Sequence, residues 1–195
     1  WLTQGPTVEK FEKAVTTYSG SKFATAVNSA TSALHIACLA LGLKKGDLVW
    51  TTPNTFVSTS NSAIFCGAKV DFIDIDTKTF NMSISELKTK LKHAKKINKL
   101  PKILIPVHFA GYPCNMTSIM EVAKAHNLFV IEDCAHAIES KFNDQHCGTF
   151  GDIGCFSFYA TKNIAIGEGG MAISKNQNLI SKMSTLAMHG LSKDA

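Results

Sequence analysis

The sequence predicts an α/β domain of three layers, α/β/α, built on a mostly parallel sheet. Three observations lead there. Short apolar runs alternate with helical patterns along the whole chain. The connections between them are short, as in layered α/β units. Polar residues able to do chemistry fall just after the apolar runs, at what would be the carboxyl ends of parallel strands, where such sheets bind ligands.

The 195 residues are enough for one domain with a substantial core, and 45% hydrophobic with 18% charged residues describes a globular chain. The net charge is +5, and all 20 basic residues are lysines. A chain without arginine lacks the side chain that makes the commonest bidentate base contact, which argues against a nucleic-acid reader. The surplus of positive charge suits an anionic small molecule. No apolar run reaches membrane-spanning length. Six cysteines stand at 38, 66, 114, 134, 147 and 155, with no Cys-x-x-Cys pair, and His146, Cys147 and Cys155 follow no known zinc spacing. They read as reduced thiols in a cytoplasmic protein without a bound metal. An opening without methionine and a stop just after a helical pattern lead to the expectation of a piece of a longer enzyme.

The elements follow in order. Pro6 starts a helix with Val8, Phe11, Ala14, Val15 and Tyr18 at helical spacing, and Gly20 closes it. Residues 23–27 form a short strand, the polar turn 28–32 follows, and an apolar helix covers 33–41. A strand at 48–52 leads through Pro53-Asn54-Thr55 into a helix over 56–66. After a strand at 69–73, the loop 74–81 lacks the glycine and glutamate of a calcium loop. Ser83 and Glu86 form a capping box for a helix to about residue 94. The seven lysines between 88 and 102 have no interleaved aromatic residue and read as a solvated face. Strands at 102–107, 128–132, 153–158 and 171–174, with helices near 116–126 and 176–187, complete the pattern.

Lys162 follows a strand-like aromatic run, outside any run of charges, and a glycine-rich turn at 167–170 comes next. It is either a surface lysine or, if partly buried, an amine with a lowered pKa able to form a Schiff base. Asp133 follows the apolar run 128–131, where a carboxylate is costly unless paired; it is either a helix cap or the partner of a cation. The Ala30-Thr31-Ser32 turn at a helix start either binds a phosphate or merely caps the helix. Phe56 is either core or a platform for a planar ring. His136 and Ser157 fall at strand ends beside these. Pyridoxal 5'-phosphate needs a lysine for its aldehyde, a carboxylate for its ring nitrogen and a helix N-terminus for its phosphate, and these residues supply all three.

The motifs Asn28-Ser29-Ala30-Thr31-Ser32-Ala33-Leu34, Pro53-Asn54-Thr55-Phe56, Pro106-Val107-His108-Phe109-Ala110-Gly111, Glu132-Asp133-Cys134-Ala135-His136-Ala137 and Phe156-Ser157-Phe158 leading to Lys162 and Gly167-Glu168-Gly169-Gly170 occur in one order over the whole chain. In this the sequence resembles the DegT/DnrJ/EryC1/StrS sugar aminotransferases, pyridoxal-phosphate enzymes of the aspartate-aminotransferase fold. The resemblance implies that Lys162 holds the cofactor and moves the proton, and that Asp133 faces the pyridine nitrogen. Phe56 would stack on the ring. Ala30, Thr31, Ser32 and Ser157 would hold the phosphate, and His136 would stand beside the cofactor. Trp1, Leu2 and Thr3 would line the nucleotide-sugar pocket. It further implies a homodimer and amino transfer from glutamate to C4 of a UDP-linked 4-keto-6-deoxy sugar. Residues 1–195 would be most of the large cofactor-binding domain, without its start and without the C-terminal small domain. The opening from Trp1 to Pro6, residues 28–41 and residues 72–83 are most similar to members that act in pseudaminic acid synthesis. Tyr159-Ala160-Thr161 departs from the His-Pro type of sequence expected before the lysine, which leaves the sugar open. Pyridoxamine-phosphate dehydratases of this fold carry histidine in place of the lysine, so Lys162 speaks against them; a non-catalytic binding protein on the same fold is the other alternative.

Overall fold

The computed structural model describes residues 5–191. Helix α1 (Pro6–Ser19) starts on Pro6 and ends where Gly20 turns left-handed at φ 74°. Strand β1 (Phe23–Val27) leads to α2 (Ala30–Ala40). Then come β2 (Leu48–Thr51), α3 (Ser58–Phe65), β3 (Lys69–Phe72), α4 (Ile84–Lys96) and β4 (Ile103–Leu104). The rest is α5 (Met116–His126), β5 (Phe129–Asp133), β6 (Lys141–Phe142), β7 (Gln145–His146), β8 (Ile153–Ser157), β9 (Gly170–Ser174) and α6 (Gln177–Ala187).

Seven strands form one sheet in the order β1-β9-β8-β5-β4-β2-β3, and β6 and β7 form a separate small hairpin. The pairs β8–β5, β5–β4, β4–β2 and β2–β3 are parallel. Only β9 runs the other way, antiparallel to both its neighbours β1 and β8. The sheet is therefore mostly parallel, as expected.

Alternation along the strands sends successive residues to opposite faces. Ile103 and Ile105, Ile131, Ile153 and Cys155, and Ala172 pack with Leu34 and Ala37 of α2, Ala63 of α3, and Ile180 and Met183 of α6. Trp50, Leu104 and Val130 pack the other way, with Leu87 and Leu91 of α4 and Met116 and Ile119 of α5. Further along that second face, Phe156, Met171 and Ile173 meet Val15 and Phe11 of α1. Helices thus cover both faces, and each fully buried Leu, Ile or Phe contributes about 1.5–3 kcal/mol.

The structure corrects several expected boundaries. Helix α2 begins at Ala30, because Ser29 is extended (φ −164°) and its Oγ accepts the Ser32 N–H at 3.2 Å, ending the turn earlier than expected. Helix α3 begins at Ser58, so Phe56 and Val57 lie in the preceding turn. The strand expected over 102–107 is regular only at Ile103–Leu104, with one more bridge from Val107 to Asp133; Pro106 between them has no N–H to give to a ladder. The capping box at α4 is half formed. Ser83 Oγ accepts the Glu86 N–H at 3.3 Å, while the Ser83 N–H donates to the Asp74 carbonyl instead of to Glu86. The hairpin of β6 and β7 has no counterpart in the sequence reading.

Candidate active site

The carboxyl ends of β1, β2, β4, β5 and β8 open onto one cavity of about 730 Å³. Strand β9 enters the sheet at the same edge, since Gly170 pairs with both Val27 and Ser157. A Cβ on Gly170 would collide with the backbone of Ser29 and Ala30. Glycine there lets the start of α2 lie directly against the sheet edge.

Asp133 ends β5 and is buried at 4% exposure. Burial pushes its carboxyl above the usual aspartate range, against the pull of two donors. These are the Thr59 hydroxyl at 2.7 Å and the Ala135 N–H at 3.1 Å. Each oxygen thus accepts one donor and has capacity for another. A buried carboxylate of this kind calls for a cationic partner.

Lys162 is partly buried, and burial lowers its pKa while the charge of Asp133 works the other way. Its Nζ stands 2.6 Å from Nε2 of His136. The imidazole is held below its ordinary pKa by burial and then by the Lys162 charge, with Asp133 opposing. Both shifts favour a neutral amine beside a neutral imidazole.

Ala30 and Thr31 line the cavity at the start of α2, where backbone N–H groups and the helix dipole favour an anion. Ser157 lines it from the end of β8. Ser32 does not line it: its Oγ donates to Asn28 Oδ1 at 2.6 Å, and its N–H is taken by Ser29. Phe56 lines the cavity and is 74% exposed, so it is not a core residue. Trp1, Leu2 and Thr3 lie outside the described residues.

Two residues of this edge escaped the sequence reading. Thr31 Oγ1 and Ser58 Oγ stand 2.7 Å apart, and the next residue, Thr59, donates to Asp133. The first turn of α3 therefore ties the start of α2 to the carboxylate. The available signal was the small polar run Ser58-Thr59-Ser60-Asn61-Ser62 inside a helix that packs on a sheet.

Glu132, the neighbour of Asp133, points to the other face and is fully buried. Its oxygens accept N–H groups from Gly148 (2.8 Å), Phe150 (2.8 Å) and Gly151 (2.7 Å), and stand 3.0 Å from His108 Nε2. His108 Nδ1 accepts the Cys114 N–H at 3.0 Å, which fixes the tautomer with the proton on Nε2, donated to Glu132. Cys134 lies close to this pair. With both ring nitrogens of His108 and both oxygens of Glu132 already engaged, the cluster is a hydrogen-bond network rather than a metal centre.

The features on this edge fit pyridoxal phosphate: an amine, a buried carboxylate in need of a cation, an anion-binding turn and an exposed aromatic ring around one cavity. The mostly parallel sheet with helices on both faces is the fold of the pyridoxal-phosphate-dependent aminotransferases. The chain belongs to the DegT/DnrJ/EryC1/StrS aminotransferase family, whose model matches residues 1–195. It is 45% identical over 195 residues to the spore coat polysaccharide biosynthesis protein SpsC of Bacillus subtilis, covering 100% of this chain and 49% of that protein. It is 41% identical over 192 residues to a UDP-4-amino-4,6-dideoxy-N-acetyl-beta-L-altrosamine transaminase of Campylobacter jejuni, covering 98% of this chain and 50% of that protein. A crystal structure of a DegT DnrJ EryC1 StrS aminotransferase from Brucella abortus superposes with a TM-score of 0.93 at 31% identity, over 97% of this chain and 51% of that one. The chain spans about half the length of the curated relatives it matches.

Proposed function

We propose that this chain is most of the cofactor-binding large domain of a nucleotide-sugar aminotransferase. The enzyme would move an amino group from L-glutamate to C4 of a UDP-linked 4-keto-6-deoxy-N-acetylhexosamine, a step of the kind that supplies pseudaminic acid for cell-surface polysaccharide. The observation that carries this reading is the opening of Lys162, Asp133 and the 29–31 turn onto a single cavity. The Campylobacter relative supports the UDP-linked substrate by its name.

Bound pyridoxal phosphate supplies an aldehyde for the amine and an electron sink for the carbon being protonated or deprotonated. The chain does the rest. Lys162 offers a free amine, because burial disfavours its charged form, and in each half-reaction would move one proton between the reacting substrate carbon and C4′ of the bound cofactor. His136, within hydrogen-bond distance of that amine, orients it. Asp133 would keep a proton on the ring nitrogen, with the Thr59 hydroxyl orienting Asp133. Ala30, Thr31 and Ser157 would hold the phosphate, and Phe56 would stack on the ring. No role is assigned to the Ser32 side chain. Residues 1–3 would line the sugar pocket.

A second copy of the chain would cover the mouth of the cavity, where Phe56 and Tyr159 line it and are exposed. That exposure supports a homodimer. Among the described residues no helix is long and apolar enough to cross a membrane. The six free cysteines fit a reducing, cytoplasmic setting.

The test supplies the enzyme with glutamate and a panel of UDP- and GDP-linked 4-keto-sugars, with NMR of the product. The expected result is an amine at C4 of a UDP-linked sugar, with 2-oxoglutarate released. Failure to release 2-oxoglutarate with any sugar would overturn the reading. A protein that shows no visible absorption band bleached by borohydride would point to the non-catalytic alternative.

A further inference from the structure

We infer that Glu139 is a positioning residue: it grips Asn163 and so holds the loop that presents Lys162. The inference rests on the proposed role of Lys162 and adds the device that places it. Residues 134–140 form a turn after β5, braced by the hydrogen bonds Ala137 N–H to Cys134 O (2.9 Å) and Ser140 N–H to Ala137 O (3.2 Å). It is seated on the loop after β4. The Ser140 hydroxyl donates to the Gly111 carbonyl at 2.6 Å, and a Cβ on Gly111 would come within 2.7 Å of the His136 carbonyl. Gly111 also has φ 84°, so both its conformation and its contact require glycine. This turn is a fixed base.

Two exposed side chains, three residues apart, rise from that base toward the lysine loop. His136 meets Lys162, and Glu139 Oε1 accepts a hydrogen bond from Asn163 Nδ2 at 2.7 Å. The loop has little else to hold it. Residues 159–168 are exposed, apart from the partly buried Lys162. The loop's backbone N–H groups at 162 and 166 bond to Tyr159 and Phe158, within its own hairpin. When the Lys162 amine is engaged in chemistry its contact with His136 changes, whereas the Glu139–Asn163 bond does not involve the reacting amine. That bond is therefore the contact able to keep the loop seated through the reaction cycle.

The test compares Glu139→Gln, Glu139→Ala, Asn163→Ala and the double alanine variant in the full chain. Hydrogen exchange is read at the amides of Lys162 and Ile166, with the β8 amides as internal reference. Both single alanine variants should exchange faster at these two amides by about three- to tenfold, the double variant no faster than either, and Glu139→Gln like the unaltered protein, since its amide oxygen still accepts. The β8 amides should not change. Unaltered exchange in Glu139→Ala, acceleration shared by β8, or Glu139→Gln behaving like alanine would overturn the inference. Treatment with pyridoxal phosphate and borohydride, followed by mass analysis of the peptide holding residue 162, separates the two readings. An unlabelled Lys162 would sink the cofactor role, while the exchange data still judge the clamp.

Discussion

Glu132 and Asp133 are adjacent, both buried, and on opposite faces of one strand. Glu132 is closed in: three backbone N–H groups and His108 meet its two oxygens. Among the described residues Asp133 accepts only the Thr59 hydroxyl and the Ala135 N–H, and it faces the cavity. The difference teaches how a strand end separates duties. A carboxylate whose hydrogen-bonding capacity is filled from within ties loops together, and one left under-satisfied is available to a ligand.

The largest effect should come from Glu132→Ala. It strands three N–H donors and the His108 proton in a dry site, at a cost of about 3–5 kcal/mol read by denaturant unfolding. A loss below about 1 kcal/mol would break the contrast. Asp133→Asn should do the reverse. Amino transfer falls at least about a hundredfold, because an amide does not hold a proton on the ring nitrogen as a carboxylate does. The cofactor-free protein meanwhile becomes no less stable at neutral pH. The pH dependence follows from the raised carboxyl. An acid that titrates higher when folded binds more protons in the folded state. Stability of the cofactor-free protein therefore falls as pH rises from the ordinary value of 3.8 through the raised folded value. Asp133→Asn should remove that fall, which unfolding measured across pH 3–8 would check. The smallest effect is expected of Thr59→Val, which removes one of the two donors. Asp133 should titrate still higher, with a loss of about 1 kcal/mol at neutral pH that vanishes in acid.

Much of this was legible because it is local. Apolar runs ending in polar residues mark strand ends, which places Asp133, His136 and Ser157 at a common edge from sequence alone. The terminating Gly20 obeys a short-range rule as well. What escaped depends on contacts far apart in sequence. The 27-residue separation of Thr31 and Ser58, and the 74 residues between Thr59 and Asp133, leave no periodic trace. The reversed direction of β9 is set by its seat between β1 and β8, and its five residues would read alike in either direction. Phe56 was open between core and site because its apolar character is the same in both; only its exposure separates them.

Ser157 and Gly170 lie side by side, so the excursion carrying Lys162 leaves the sheet and returns to it at neighbouring points. Because both ends are anchored, changes confined to the tip at 164–167 need not disturb the base. Lengthening such a tip adds little to the entropy of closing it. The sequence of the tip could therefore be rewritten with Lys162 still presented from the same two strands.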